Sequence, residues 1–303
     1  MSVSAETISQ LKDQARTVRS DILRMIHAAR SGHPGGSLSA TDFVTALYFH
    51  FMRLDPANPH WPDRDRFILS KGHACPVWYT ALARRGFFPV EELSTLREIN
   101  GRLQGHPAPA HTHGVPGIEL ASGALGQGLS VAVGCSIGLR LNGRPNQVYA
   151  LLGDGELDEG QIWEAVMTAG HHKTDNLIAI VDRNNCQIDN RTENVMTLEP
   201  LVDKWKAFNW HVLECNGNDV DDFITTVKKA QQMKRKPKVV IAHTFMGRGV
   251  SFMEDDYKWH GVSPNEEQGK QALRELPPTK FGDFITFDWE SKEEPVMKRE
   301  ITQ

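Results

Sequence analysis

The stretch VYALLGDG, residues 148–155, decides the fold. Its first five residues are largely apolar, which predicts a buried strand over 148–152. Asp154 follows this strand between Gly153 and Gly155, and glycines permit tight turning and the close approach of a ligand. A helix is predicted to begin near Asp158, and its free N–H groups favour an anion such as a diphosphate at that end. The stretch therefore predicts a ligand site at the carboxyl end of a buried strand.

The next predicted strand, over 177–181, also ends in polar residues, Asp182-Arg183-Asn184-Asn185. If the two strands are neighbours, these residues emerge beside Asp154. A carboxylate, an amide oxygen and a nearby backbone carbonyl suit Mg²⁺, and a diphosphate would supply the remaining negative ligands. Taken alone, either motif also fits an ordinary turn, an Asx turn at the aspartate or a turn-forming Asn pair.

The rest of the chain alternates short apolar runs with helical patterns. Further strands are predicted over 66–70, 211–215 and 239–243. Helices are predicted over 8–30, 41–51, 74–85, 125–141, 158–172, 219–233 and 264–275. This alternation is typical of an α/β fold with a mainly parallel sheet and helices on both faces. Ligands of such folds lie at the carboxyl ends of the strands.

Histidine stands out in the composition, with 13 residues in the chain, and several of them lie beside glycine, as do His33, His73, His106 and His260. Glycine lets the backbone come close to a bound group while the imidazole reaches it. One such pair would fit a turn or a surface histidine, whereas four favour a shared site. A long segment at 101–123, rich in Gly, Pro and His, is typical of a functional loop.

Composition excludes several classes of protein. The 303 residues carry a net charge of −4, which gives no reason to expect binding to nucleic acid or to an acidic membrane surface. The sequence contains no signal core and no apolar segment long enough to span a bilayer. The basic run at 228–238 is interpreted as a solvated helix end. The widely spaced cysteines favour a reducing cytoplasm; they are Cys75, Cys135, Cys186 and Cys215.

Together these motifs resemble transketolase, because GDG followed about 30 residues later by NN is the thiamine-diphosphate signature and the match extends beyond it. Seven stretches within residues 20–275 run in the family's order: SGHPGG (31–36), LSKGHACPVWY (69–79), GHP (105–107), ASGALGQGLSVAVG (121–134), GDGELDEGQIWEA (153–165), NLIAIVDRNN (176–185) and WHG (259–261). The resemblance implies a thiamine-diphosphate-binding fold, with residues 1–275 forming the diphosphate-binding domain.

The resemblance also implies roles for single residues. Mg²⁺, for which Ca²⁺ or Mn²⁺ can substitute, would bind the side chains of Asp154 and Asn184 and the main-chain carbonyl of Cys186. Further residues would contact the cofactor: His73, Gly123, Leu125, Gly155, Glu159, Asn184 and His260. The channel to the reactive carbon would be lined by His33, His106 and His260, whose imidazoles exchange protons with substrate hydroxyls. Glu159 and Glu164 match glutamates that link paired cofactors at a subunit interface.

The implied reaction transfers a two-carbon ketol unit from a ketose phosphate to an aldose, with thiamine diphosphate providing the carbanion. The family is usually about twice this length, and no segment after 275 could hold the missing pyrimidine-binding domain. We therefore expect the N-terminal subunit of a split transketolase, completed by a C-terminal subunit in an assembly such as a heterotetramer. Residues 276–303 are interpreted as a contact arm or a flexible tail.

Two alternatives remain at this point. One is another thiamine-diphosphate enzyme acting on an α-keto acid, such as a deoxyxylulose-phosphate synthase or a dehydrogenase E1 component, although SGHPGG and the histidines disfavour it. The other is a noncatalytic scaffold subunit that binds no cofactor, against which the intact Asp154 and Asn184 speak. The sugar phosphate itself is left open.

Overall fold

The computed structural model describes residues 3–276, and the predicted arm beyond Leu276 lies outside this part of the chain. Its centre is a sheet of five parallel strands in the order β1-β2-β3-β5-β4. The strands are Arg66–Leu69 (β1), Val148–Gly153 (β2), Leu177–Arg183 (β3), His211–Asn216 (β4) and Lys238–His243 (β5). The predicted parallel sheet is confirmed, and each predicted strand lies within two residues of an observed one.

Strands β2 and β3, in the interior of the sheet, are buried at every residue. Alternate side chains of these strands enter two separate hydrophobic cores, one on each face of the sheet. Leu151 and Ile180 belong to the first core, whereas Leu152 and Val181 belong to the second. Because both faces of the sheet are buried at these strands, the strands have continuous apolar sequences.

Helices cover both faces, as predicted. The first core is covered by Ala5–Ala29 (α1), Pro34–Ser39 (α2), Thr41–Ala46 (α3) and Cys75–Arg84 (α4). The second core is covered by Gln127–Leu141 (α5) and Gly160–His172 (α6). The remaining helices are Thr192–Val195 (α7), Leu201–Ala207 (α8), Val220–Gln232 (α9) and Glu266–Glu275 (α10). Helix α8 joins the second core, and α9 and α10 join the first.

Three local predictions differ from the structure. Residues 31–40 lie between the helices predicted over 8–30 and 41–51, but Pro34 begins an additional helix, α2, whose six residues are all buried. The helix predicted over 41–51 consists of α3 followed by a π-helical turn, Leu47–Phe51. Lys238 is not on a solvated helix end but is fully buried in β5. Tertiary burial overrides local propensity at each of these positions.

Between Gly101 and Gly123 the chain is irregular apart from a short 3₁₀ turn, Ala110–Thr112, which confirms the predicted long loop. Similar short turns occur at Gly72–Ala74, Val90–Thr95, Gly155–Asp158 and Tyr257–Trp259. None of the helices within residues 3–276 is both long and apolar enough to cross a membrane.

Candidate active site

A cleft of about 400 Å³ lies at the carboxyl ends of β1, β2 and β3. Ten of the predicted site residues line it: His33, His73, His106, Gly123, Leu125, Asp154, Gly155, Asn184, Cys186 and His260. They come from segments far apart in the sequence, so the fold itself assembles the cleft. This position is where ligands bind in open parallel sheets.

Asp154 and Asn184 meet because β2 and β3 pair directly, with Gly153 opposite Asp182. The buried Asp154 carboxylate accepts hydrogen bonds from the backbone N–H groups of Gly155 (2.8 Å) and Asn185 (2.7 Å). Asn185 has a left-handed backbone (φ 62°), which asparagine tolerates better than most residues. The second asparagine of the pair therefore shapes the turn, while the first faces the cleft.

The charge of Asp154 is only partly compensated by its surroundings. Burial and the nearby Asp182 carboxylate raise the pKa of Asp154 to about 6, although Arg183 and the two N–H groups act in the opposite direction. The Arg183 guanidinium lies 3.2 Å from Asp154 Oδ2 and is shared with Glu193 and Glu199. A cation in the cleft would favour the ionised carboxylate.

The oxygen of the Asn184 side chain is fixed by its neighbours. Asn184 Nδ2 donates to Asp182 Oδ2 (3.1 Å), and its Oδ1 accepts from the Cys186 N–H (3.1 Å). Burial raises the pKa of the Cys186 thiol to about 11, so the thiol stays protonated at neutral pH. Within residues 3–276 no three His, Cys, Asp or Glu side chains are grouped to hold a metal. A cation here would need amide or carbonyl oxygens beside Asp154.

Lys71 is a lining residue that sequence reasoning missed. Its ammonium forms an ion pair with Asp182 and donates to the Gly36 carbonyl (3.2 Å) at the base of the cleft. Asp182 also accepts from the hydroxyls of Ser39 and Thr244. The available signal was its position after β1, directly before Gly72-His73.

Glu156 is a second missed residue, and it ties three loops together. This buried carboxylate accepts from the N–H groups of Gly126 (2.8 Å) and Gly153 (3.0 Å) and from the Ser70 hydroxyl. Burial raises the pKa of Glu156. Its place two residues after Asp154 was the only clue in the sequence.

Three of the four predicted histidines form a cluster on one wall of the cleft. The ring centroids of His33 and His73 are 5.1 Å apart, those of His73 and His260 are 5.1 Å apart, and those of His33 and His260 are 5.7 Å apart. The Nδ1 atoms of His33 and His260 are buried without a hydrogen-bond partner among the described residues. Buried polar atoms usually have partners, so these nitrogens are available to a bound ligand.

The histidines are held in the neutral form. Burial is the main cause that lowers the pKa of His33 to about 4 and the pKa of His260 to about 4. The pKa of His73 lies well below its usual value for the same reason, with a further contribution from His260. His106 lies at the exposed rim, and partial burial followed by the charge of Arg97 lowers its pKa. Neutral imidazoles both accept and donate protons.

The other walls combine open backbone with apolar side chains. At Gly155 an added Cβ would lie 2.6 Å from Gln187 Cγ, so a side chain at this position would have to displace the Gln187 side chain, which also lines the cleft. Leu125 and Ile188 line the cleft although they are 36% and 66% exposed. Exposed apolar side chains beside convergent polar groups are typical of a cofactor cleft.

Glu159 and Glu164 lie apart from the cleft lining. Both are exposed, Glu159 as the N-cap of α6 and Glu164 one turn further along. Glu159 packs beside Gly126, where an added Cβ would lie 2.9 Å from Glu159 Cβ. Glu159 is therefore next to the cleft without facing it.

The parallel sheet, with one carboxylate and one amide oxygen at neighbouring strand ends and a glycine-lined cleft above them, defines an α/β protein with a ligand cleft at the carboxyl ends of its strands. The family described as "Transketolase, thiamine diphosphate binding domain" matches residues 10–282. The chain belongs to this family, as its motifs predicted.

Two relatives of similar length are covered almost completely. The chain is 44% identical over 266 residues to the 6-deoxy-6-sulfo-D-fructose transketolase subunit SqwG of Clostridium sp. (strain MSTE9), covering 88% of this chain and 96% of the relative. It is 44% identical over 269 residues to an apulose-4-phosphate transketolase subunit from Phocaeicola vulgatus, covering 89% and 94%. The predicted likeness to an N-terminal transketolase subunit is confirmed.

Longer transketolases match only in part. Human transketolase is 37% identical over 272 residues, which are 89% of this chain but 42% of the human protein. The crystal structure of transketolase from Campylobacter jejuni superposes with a TM-score of 0.84 at 32% identity, covering 94% of this chain and 44% of that one. The chain thus spans less than half the length of these enzymes.

Proposed function

We propose that this chain supplies the diphosphate-binding half of a transketolase that moves a two-carbon ketol unit between sugars. The observation that carries the proposal is the single cleft in which Asp154 and Asn184 lie opposite a cluster of neutral histidines. Neither half of this arrangement alone requires ketol transfer. Together they combine a cation and diphosphate site with groups that exchange protons with hydroxyls.

The residues of the cleft fit thiamine diphosphate and Mg²⁺. Asp154, the Asn184 oxygen and the Cys186 carbonyl would hold the cation, and the cation would hold the diphosphate. His73, Gly123, Leu125, Gly155 and His260 would contact the cofactor, with Glu159 acting from beside the cleft. When bound, the cofactor supplies the nucleophilic carbon that receives the two-carbon unit.

His33, His106 and His260 would act on the substrate. Their low pKa values leave them uncharged near neutral pH, so each imidazole accepts a proton from one sugar hydroxyl and returns it to another group. The partnerless Nδ1 atoms of His33 and His260 support contacts with a bound ligand. The carbon chemistry belongs to the cofactor, and these residues orient the sugar and move its protons.

A second chain would complete the site. We propose that it carries the pyrimidine-binding domain and that the two chains self-associate, in an assembly such as a heterotetramer. Two relatives that are named as transketolase subunits support this, because the match covers 96% and 94% of their length. Residues 1–275 would form the diphosphate-binding domain and residues 276–303 a contact arm.

The proposed docking face for the partner lies on α5 and α6. Here Leu141 and Met167 are 83% and 57% exposed, and Gly134 and Gly138 leave open space where side chains would project. Small residues allow close approach of another helix, and exposed apolar side chains favour burial. Glu164 and Glu159 lie on the same helix, which agrees with an interface role for both.

The substrate is proposed as a ketose donor, with an aldose as the acceptor. The relatives are named for 6-deoxy-6-sulfo-D-fructose and for apulose 4-phosphate, so similar subunits serve different sugars. The histidines of the cleft are equally compatible with a common pentose phosphate and with a branched or otherwise unusual sugar phosphate. We propose a cytoplasmic location, which the four free cysteines support.

The test is a ketol-transfer assay with thiamine diphosphate and Mg²⁺, using the chain alone, the co-expressed partner alone and the two together. Activity is expected only from the mixture. Full activity from the lone chain would contradict the need for a partner. A panel of ketose phosphates and sulfonated sugars would identify the donor, and turnover of pyruvate instead would favour an α-keto-acid enzyme. A purified pair without bound cofactor would favour a scaffold.

A further inference from the structure

Arg97 has an unusual backbone conformation and lies next to the segments that carry His33 and His106. It has a left-handed backbone (φ 61°), which is uncommon for a residue with a side chain. Its N–H donates to the Leu103 carbonyl (2.8 Å), which closes the loop of residues 97–103. This closure keeps the conformation in place although it is locally unfavourable.

The guanidinium of Arg97 contacts both the segment that precedes His33 and the segment that precedes His106. Arg97 Nη1 donates to Ser31 Oγ (3.0 Å), two residues before His33. On the other side it lies against Gly105, directly before His106, where an added Cβ would be 2.8 Å from Arg97 Cζ. One side chain therefore bridges two loops that are more than 70 residues apart in the sequence.

The positive charge of Arg97 is not neutralised by a carboxylate. Within residues 3–276 it forms no ion pair, and its Nε is buried without a hydrogen-bond partner. Arg97 as a residue is half-buried, so its guanidinium is partly removed from water without the counter-ion that usually accompanies such a charge. Arg102 offers a contrast in the same segment, because it forms two hydrogen bonds with the Glu92 carboxylate.

We propose that Arg97 is a positioning residue that fixes His33 and His106 relative to each other by holding their two loops against one guanidinium. This role rests on the proposed function, since it concerns histidines that would contact the sugar. It extends that function to a residue outside the cleft lining, one that no motif in the sequence indicated.

The same contact has an electrostatic consequence. The charge of Arg97 lowers the pKa of His33 and His106, in each case second to burial. Other charged or titratable groups nearby are His73, His260 and Lys71 in the cleft and Cys75 behind it. Arg97 is not among the causes that lower the pKa of His260, so that residue is an internal reference.

The test uses the full chain with ring-labelled histidine and follows each imidazole by NMR as the pH changes. In Arg97→Gln the pKa values of His33 and His106 are expected to rise by roughly 0.5 to 1 unit, while His260 changes less. Arg97→Lys should restore most of the shift because it keeps the charge. Arg102→Gln is the matched control and should leave all of these values unchanged.

A folded Arg97→Gln chain with unchanged pKa values for both His33 and His106 would overturn the proposal. If Arg97→Gln does not fold, Gly105→Ala replaces it, because the added methyl group would displace the guanidinium from the loop. The same rise is then expected, and its absence would equally overturn the role of Arg97.

The second readout is the pH profile of kcat/KM for the chain assembled with its partner. Arg97→Gln should move the acidic limb to higher pH, whereas a purely structural defect would lower activity at every pH without moving the limb. The NMR titration needs no activity. If the parent pair shows no ketol transfer, the result counts against the proposed function. If the pKa values of His33 and His106 are unchanged in Arg97→Gln, the result counts only against the proposed role of Arg97.

Discussion

Lys71 and Asp182 form an ion pair that is almost wholly buried, with side chains 2% and 0% exposed. Asp182 in turn accepts a hydrogen bond from Asn184 Nδ2 (3.1 Å), so the pair determines which way the Asn184 amide faces. With its nitrogen held by Asp182, the amide oxygen is left toward Cys186 and the cleft. The buried pair therefore orients a side chain that we propose as a metal ligand, in the manner of outer groups around metal sites.

Lys71→Met should destabilise the chain by about 3–5 kcal/mol, because it leaves the Asp182 carboxylate buried without its counter-ion. The measurement is the free energy of unfolding from urea denaturation of the parent and the variant. Lys206→Met is the matched control, since Lys206 forms only an exposed pair with Asp203, and it should change stability by less than about 1 kcal/mol. A loss for Lys71→Met as small as the control would contradict this account.

Asp154→Asn should weaken Mg²⁺-dependent binding of thiamine diphosphate by about 100-fold, close to 3 kcal/mol, while the fold stays intact. The Asp154 carboxylate supplies negative charge to the cation, whereas the asparagine that replaces it has the same shape without the charge. Calorimetric titration of the chain with its partner, with and without Mg²⁺, measures the effect, and circular dichroism monitors the fold. Asp203→Asn, at an exposed position outside the cleft lining, is the control. Unchanged cofactor affinity in Asp154→Asn would remove the metal assignment.

The histidine cluster should make stability fall as pH is lowered. His33 and His260 have a folded-state pKa of about 4, below the ordinary value of 6.5 in the unfolded chain. Between these values the unfolded state binds more protons, so the free energy of unfolding decreases from about pH 6.5 down to about pH 4. Above pH 6.5 the contribution is constant.

Urea denaturation at several pH values between 4 and 7.5 measures this dependence. His260→Gln should flatten it, because one of the groups that must stay neutral in the fold is removed. His111→Gln, at an exposed position outside the cluster, should leave the slope as in the parent. If the free energy of unfolding depends on pH equally in the parent and in His260→Gln, the histidine cluster is not the cause of that dependence.

The sequence was sufficient to predict the sheet and the meeting of Asp154 and Asn184 at its edge. Continuous apolar runs identify strands buried on both faces, and the polar residues directly after β2 and β3 have to meet if those strands are neighbours. The Gly-His pairs were recognised as a shared site for the same kind of reason, since each is a local pattern. The features that depend on a local sequence pattern were therefore predictable.

The ion pair of Lys71 with Asp182 was not predictable, because the partners are 111 residues apart and nothing near either residue indicates the other. Lys238 is a second example. Its place in a basic run predicts a solvated side chain, yet Lys238 is buried at the start of β5, where burial lowers its pKa to about 8. Which charges become buried depends on packing between distant elements, and local patterns do not contain that information.

Gly134→Arg should weaken assembly with the partner while leaving the chain folded. An added Cβ at Gly134 meets nothing within 4 Å, so the isolated chain accommodates the side chain, whereas a partner helix packed on α5 would not. Sedimentation velocity of the mixed chains measures the association, and at least a tenfold weaker interaction is expected, about 1.4 kcal/mol. Gln232→Arg, at the exposed end of α9 on the opposite face of the sheet, is the control and should assemble normally. Normal assembly of Gly134→Arg would place the partner on another face of the chain, because a long charged side chain at a close helix contact is not compatible with packing there.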